Sequence, residues 1–274
     1  MALAIISADQ RIASATFKAQ IWGQAGVGKT TLLKTMPPDT LALDFEGGFM
    51  SINRDDEFGP AWKGDSVKVE NWPEAKAILG AFQQPERPEF LRKYKSIFID
   101  STTVVTRLCF EWAQTQPEAF SDKKTDKAGN PVPNLLGAYG LLGRECVSWV
   151  NGWKHLDDLN VFLIGGMERK EVDGVKEWAP LVMGSKLVSE LPYIFDACFV
   201  MARFRAADGK SYTGLFTDPI KNPEYASVPI KSRIAGLDPI ERPHLGQLMA
   251  KALGSKPSAA VAAPPSVETP GEAA

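Results

Sequence analysis

The sequence predicts an α/β protein: a mostly parallel central sheet flanked by helices, with an antiparallel hairpin at one edge. Three observations lead there. Short apolar runs alternate with amphipathic helical stretches along the chain. The runs are nearly continuous in apolar residues, as strands covered on both faces must be. A Gly-rich turn joins the first run to the first helix in the pattern G-x-x-x-x-G-K-T.

The elements follow in order. Residues 1–16 are a mildly apolar lead-in, 17–254 the folded core and 255–274 an Ala/Pro/Ser/Glu tail too poor in apolar surface to order itself. Phe17–Trp22 alternates as a strand. A helix runs from Lys29 to about Thr35 and is stopped by Pro37-Pro38. Thr40–Phe45 is a second strand ended by Gly47-Gly48, Ser66–Val69 a short one, and 73–82 a helix with Pro73 in its first turn. Tyr94–Asp100 is a buried strand and Thr102–Gln116 a helix. Residues 117–134 read as a long polar loop, and Leu135–Leu156 as a helix with an apolar stripe. Asn160–Gly165 is another buried strand and 166–185 an irregular stretch. Phe195–Arg203 pairs with Ser211–Phe216 through an Asp208-Gly209 turn, and His244–Leu253 closes the core as a helix.

Composition narrows the function. The chain has 274 residues, 44% hydrophobic and 23% charged, with a formal net charge of -2. That is enough to bury a sizeable core, and there is no basic excess to suggest nucleic acid by itself. Cys109, Cys146 and Cys198 lie far apart in apolar surroundings and read as buried reduced thiols. Two histidines, His155 and His244, argue against a zinc site or a His-based triad. No run approaches a membrane span and the N-terminus lacks a signal pattern, so a cytoplasmic protein with no membrane partner is expected.

The chemistry sits in Gly23-Gln24-Ala25-Gly26-Val27-Gly28-Lys29-Thr30-Thr31. Glycines let the backbone curl so that its N–H groups point at phosphate oxygens, and the next helix offers its positive dipole end. Lys29 then reaches the β- and γ-phosphates of ATP, and the Thr30 hydroxyl ligates Mg²⁺. Ser96-Ile97-Phe98-Ile99-Asp100 is an apolar strand ending in a carboxylate. In a parallel sheet that end lies on the edge of the phosphate loop, so Asp100 is the second Mg²⁺ residue. Asp44 and Glu46 end the second strand, on one side by alternation. Glu46 is the preferred base for polarising an attacking water, with Asp44 as the alternative.

These motifs, in this order, resemble the RecA-type recombinase core of AAA-like nucleotide-binding proteins. The closest likeness is to the short phage-encoded RecA-like ATPases of single-strand annealing and recombination. Ala179-Pro180, Gly184-Ser185-Lys186 and Leu191-Pro192-Tyr193-Ile194-Phe195-Asp196 also look typical of that group, and the likeness spans residues 17–237. It implies a ring or filament that holds ATP between subunits, with Lys231 and Arg233 of Pro229–Ala235 reaching the neighbour's γ-phosphate as catalytic cations. It implies single-stranded DNA on the loops 117–134 and 168–186, which carry Lys123, Lys124, Lys127, Arg169, Lys170, Lys176, Lys186 and Trp178. A host single-stranded-DNA-binding protein is an additional candidate partner. One departure stands out. Where the family ends its fourth strand in a polar γ-phosphate sensor, this chain has Gly165-Gly166-Met167-Glu168. The expected activity is a DNA-dependent ATPase in phage recombination. A partner-driven ATPase of the helicase-loader or packaging type, and a nucleotide-gated binding module, are the alternatives.

Overall fold

In the computed structural model, which describes residues 15–56, 59–206, 208–221 and 223–254, the strands are β1 Lys18–Gly23, β2 Thr40–Asp44, β3 Asp65–Lys68, β4 Ser96–Asp100, β5 Phe120–Thr125, β6 Pro131–Pro133, β7 Asn160–Val172, β8 Val175–Pro180, β9 Ala197–Arg205, β10 Ser211–Phe216, β11 Lys231–Ser232 and β12 Ile240–Glu241. The α-helices are α1 Trp72–Gln83, α2 Glu89–Arg92, α3 Thr102–Ala113, α4 Leu135–Lys154, α5 Ser185–Ile194 and α6 Leu245–Ala252. The main sheet runs β12-β10-β9-β1-β7-β4-β2-β3. From β9 to β3 every pairing on this path is parallel; β10 and β12 close the other edge antiparallel. The predicted hairpin is therefore present, with Ser211 opposite Arg205 and Phe216 opposite Val200.

The parallel strands are buried on both faces, which explains their unbroken apolar runs. Alternate residues feed two cores. Leu41, Leu43, Ile97, Ile99, Val161 and Leu163 pack with α1, α3, α4 and α5 on one side. Ala19, Ile21, Phe98, Phe162, Ile164 and Phe199 pack on the other, under α6 and the 3₁₀ helix Thr30–Thr35. The period of two along each strand is what separates them. The first core holds an aromatic column, with Trp72–Trp149 at 5.8 Å, Trp149–Trp153 at 5.8 Å and Phe82–Trp153 at 5.5 Å between ring centroids. Asn71 starts α1 by accepting the Glu74 N–H at 3.0 Å, and the Glu74 carboxylate accepts the Glu70 N–H in return.

Four expectations change. The helix after the Gly-rich turn is a 3₁₀ helix of six residues, Thr30–Thr35, because Pro37-Pro38 allow only a short, tight run. Residues 117–134 are not an open loop: a 3₁₀ turn at Pro117–Ala119 leads into the β5–β6 hairpin. Residues 166–185 are not irregular either. β7 runs on to Val172, turns at Asp173-Gly174 and returns as β8 with Met167 opposite Pro180 and Val172 opposite Val175. Polar alternation across a two-stranded ribbon is a weaker signal than a buried run, and positive φ at Asp173 (51°) and Gly174 (78°) makes the turn. Finally, β2 ends at Asp44, so strand alternation does not set Glu46. Residues 1–14 and the tail from 255 lie outside the described residues. Among those described, no helix is long and apolar enough to cross a membrane.

Candidate nucleotide site

The site forms where the parallel strands end. β1 finishes at Gly23, facing Gly166 of its neighbour β7, which runs on past this level; β4, on the other side of β7, finishes at Asp100, facing Ile164. The chain then curls through Gln24–Gly28. Gly26 and Gly28 take φ values of 72° and 100°, a region that side chains with a Cβ rarely adopt. Gly23 is required for another reason: a Cβ there would lie 2.8 Å from the Met201 carbonyl oxygen and 2.9 Å from Val27 Cγ1. Thr30 and Thr31 open the 3₁₀ helix, whose Leu32 and Leu33 anchor it in the core below.

Lys29 is half-buried and turned back on its own loop. Its Nζ donates to the carbonyl oxygens of Gly23 at 2.9 Å and Gln24 at 2.8 Å. Burial lowers its pKa, while Glu46 and Asp100 pull it back up. A phosphate chain would supply the charge that two carbonyl dipoles replace incompletely. Thr30 Oγ1 donates to Asp100 Oδ2 at 2.7 Å, so hydroxyl and carboxylate already share one point. Asp100 is 1% exposed, and burial pushes its pKa up to about 7, with Glu46 and Asp44 adding to the rise and Thr30 and Lys29 opposing it. A buried carboxylate in that condition, beside a hydroxyl and facing a phosphate loop, suits a hard divalent cation that keeps waters and phosphate oxygens as its other ligands. Thr30 and Asp100 would hold Mg²⁺ there.

The two acids after β2 divide their work. Asp44 is buried and its Oδ1 accepts the backbone N–H groups of Glu46 at 3.1 Å and Gly47 at 2.7 Å, so it caps the turn. Glu46 is exposed, and its carboxylate accepts a hydrogen bond from the Ser101 hydroxyl. The turn is held from below: the Phe45 N–H reaches the Asp100 carbonyl at 2.7 Å and the Phe45 ring sits edge-on to Trp149 at 6.2 Å. Glu46 is the carboxylate left over for a water.

Lys231 and Arg233 are not brought to this loop. β11 pairs with Ala197 and Cys198, which align with Ala19 and Gln20 at the start of β1; the loop follows Gly23, aligned with Met201. Four residues of strand separate the two ends by roughly 13 Å. Arg233 Nη1 lies 3.9 Å from Asp196 Oδ1, a carboxylate shared with Lys154. Among the described residues, Lys231 Nζ is buried without a hydrogen-bond partner, 5.8 Å from the Tyr193 ring centroid. Met167 is buried, and the polar contact at this level of β7 comes instead from Thr103, whose Oγ1 accepts the Gly166 N–H at 2.9 Å.

The β7–β8 ribbon rises from the same edge as the loop. Six residues beyond Gly166 carry it roughly 20 Å out. Most of its basic residues are paired: Arg169 with Glu224 at 3.3 Å, Lys170 with Glu168 at 3.0 Å and, in α5, Lys186 with Glu190 at 3.5 Å. Arg169 also lies 5.0 Å above the Trp178 ring, and Ser227 donates to Glu177. Next to Glu224, half-buried Tyr225 lies close to the side chain of Gln24 in the phosphate loop. A short segment thus links loop and ribbon. On the β5–β6 hairpin Lys124 and Lys127 are exposed. Ser101 and Tyr225 had no role in the sequence reading. Ser101 was visible in Ile99-Asp100-Ser101, whereas nothing local marks Tyr225, which approaches Gln24 from two hundred residues away.

A family model described as an AAA domain matches residues 15–222. No curated protein matches the chain. Among solved structures, an ATPase from the type III secretion system of pathogenic bacteria is 15% identical, over 70% of this chain and 55% of that one, with a TM-score of 0.34. This chain therefore spans little more than half the length of that protein. The family match reaches from before β1 to beyond β10 and takes in the phosphate loop, Glu46 and Asp100, so the chain belongs to the AAA-domain family of nucleotide-binding P-loop ATPases.

Proposed function

We propose that this chain hydrolyses ATP with Mg²⁺ and couples the reaction to single-stranded DNA, as a RecA-like protein of phage recombination that anneals or exchanges strands. One observation carries the hydrolytic reading: Lys29, the Thr30–Asp100 pair and Glu46 converge at the mouth of one Gly-rich loop. The bound ion supplies charge neutralisation at the phosphate oxygens. Lys29 leaves its two carbonyls for the β- and γ-phosphates. Glu46, oriented by Ser101, accepts a proton from water as the water oxygen bonds to the γ-phosphorus and the bond to ADP breaks. Lys231 and Arg233, at the far edge of the sheet, act only on the phosphates of a neighbouring copy.

The ribbon and the β5–β6 hairpin are the DNA-facing parts in this reading. The contact from Gln24 through Tyr225 and Glu224 to Arg169 supports coupling between ribbon and loop. A second reading is favoured by the same ribbon. Its cations are largely neutralised by Glu224 and Glu168, which suits a protein partner better than a polyanion. Steady-state ATP hydrolysis, with and without single-stranded DNA, for wild type and Lys29→Ala decides between them. Stimulation by DNA that is lost in Lys29→Ala is expected. A Lys29-dependent rate indifferent to DNA at low salt supports the partner-driven ATPase instead.

A further inference from the structure

β9 lies on one side of β1, while β7, β4 and β2, which bring Asp100 and the Glu46 turn, lie on the other. Met201 of β9 is level with Gly23, so Arg203, two residues on, stands at the height of the phosphate loop. Met201 packs in the same core as Leu32 and Leu33 of the 3₁₀ helix. Residues two apart on a strand share a face, so Arg203 rises on the face of the sheet that this helix covers. Its guanidinium reaches the loop: Nη2 donates to the Gly26 carbonyl at 3.4 Å, long for a hydrogen bond. Arg203 is exposed and, among the described residues, in no ion pair. With Gln24, Ala25, Gly26 and Val27 it lines a pocket of about 120 Å³, a cleft made of phosphate loop and one arginine.

We propose that Arg203 is a nucleotide-contacting residue that binds the triphosphate from the side opposite Mg²⁺, within the same chain. The inference rests on the nucleotide reading above and deepens it. An arginine offers five donors in a planar fork that matches phosphate oxygens two at a time. Here one donor makes a single weak contact. The fork is placed over a Gly-rich loop whose amides and lysine favour negative charge. The phosphates would then be held between the cation near Asp100 on one flank and Arg203 on the other. Lys231 and Arg233 of another copy are not needed for this contact.

The test is thermal unfolding with and without the β,γ-imido analogue of ATP plus Mg²⁺, on wild type, Lys29→Ala, Arg203→Gln and Arg203→Lys. Arg203→Gln is expected to unfold at the wild-type temperature without ligand. Its nucleotide-induced rise should shrink to match an affinity weakened about tenfold to a hundredfold, the size of a charge-assisted hydrogen bond. Arg203→Lys should fall between it and wild type. A wild-type rise that Lys29→Ala abolishes and Arg203→Gln retains in full overturns the role of Arg203 and leaves the nucleotide reading standing. An absent rise in wild type overturns both. A drop in the unliganded melting temperature of both Arg203 variants, with affinity unchanged, also overturns it and makes Arg203 a residue of the fold.

Discussion

Replacing Gly165 by alanine puts a methyl group into the indole of Trp22. The two residues face each other in register on β7 and β1. A Cβ on Gly165 would lie 2.2 Å from Trp22 Cζ3, 2.6 Å from Cε3 and 3.2 Å from Cη2. The indole is 1% exposed, so it has no open side to swing toward. Overpacking of this kind costs about 1–3 kcal/mol, and a contact this short in a locked ring belongs at about 3. At roughly 2–4 °C per kcal/mol for a chain of this size, Tm falls by about 6–12 °C. The three nearest atoms all belong to the six-membered ring of the indole. Trp22→Phe removes part of that volume, so the methyl should then cost less than about 1 kcal/mol. Chemical denaturation of wild type, both single variants and the double variant measures the coupling, expected at about 2 kcal/mol in favour of the double. Additive losses, or a Gly165→Ala loss below about 0.5 kcal/mol, would refute the steric reasoning. Gly165 would then serve the backbone and not the ring.

Two further outcomes follow from the site and the closing helix. Glu46→Gln should keep nucleotide binding and reduce kcat by about a hundredfold or more, while Ser101→Ala, which only frees the Glu46 carboxylate, should reduce kcat less and leave KM near wild type; single-turnover hydrolysis separates the two. His244 caps α6 by accepting the Gln247 N–H on Nδ1 at 3.2 Å, which requires the neutral ring. Burial, and then Arg242, hold its pKa below the ordinary 6.5. Its contribution is therefore complete above the ordinary value and is lost as pH falls through the lowered one. Acidification from about pH 7 to about pH 5 should cost wild type about 1 kcal/mol of helix capping that His244→Asn, a cap that does not titrate, retains. Equal pH slopes for the two in differential scanning calorimetry would sink that reading.

The phosphate loop, the strand order of types and the two-faced burial were legible because each depends on local chemistry. Only glycine adopts the φ values of Gly26 and Gly28 readily, and only doubly covered strands carry runs such as Ser96–Asp100 or Asn160–Gly165. The ribbon after Gly166 was not legible, since Met167–Val172 is too polar to read as a strand until Val175–Pro180 lies against it. The roles of Asp44 and Glu46 were equally hidden. Both acids sit where β2 gives way to the turn, and what separates them is that Asp44 spends one oxygen on two backbone amides while Ser101 reaches Glu46.

By itself, then, the sequence determined the fold class and the anion-binding loop, because backbone conformation and burial period are written within a few residues. Only the tertiary structure decided what stands around that loop. Arg203 reaches it because β9 pairs with β1, Tyr225 because the segment after β10 folds back over Gln24, and Lys231 and Arg233 are kept from it because β11 pairs with the opposite end of β9. Which distant residue meets which is set by strand register, and register depends on packing across the whole sheet.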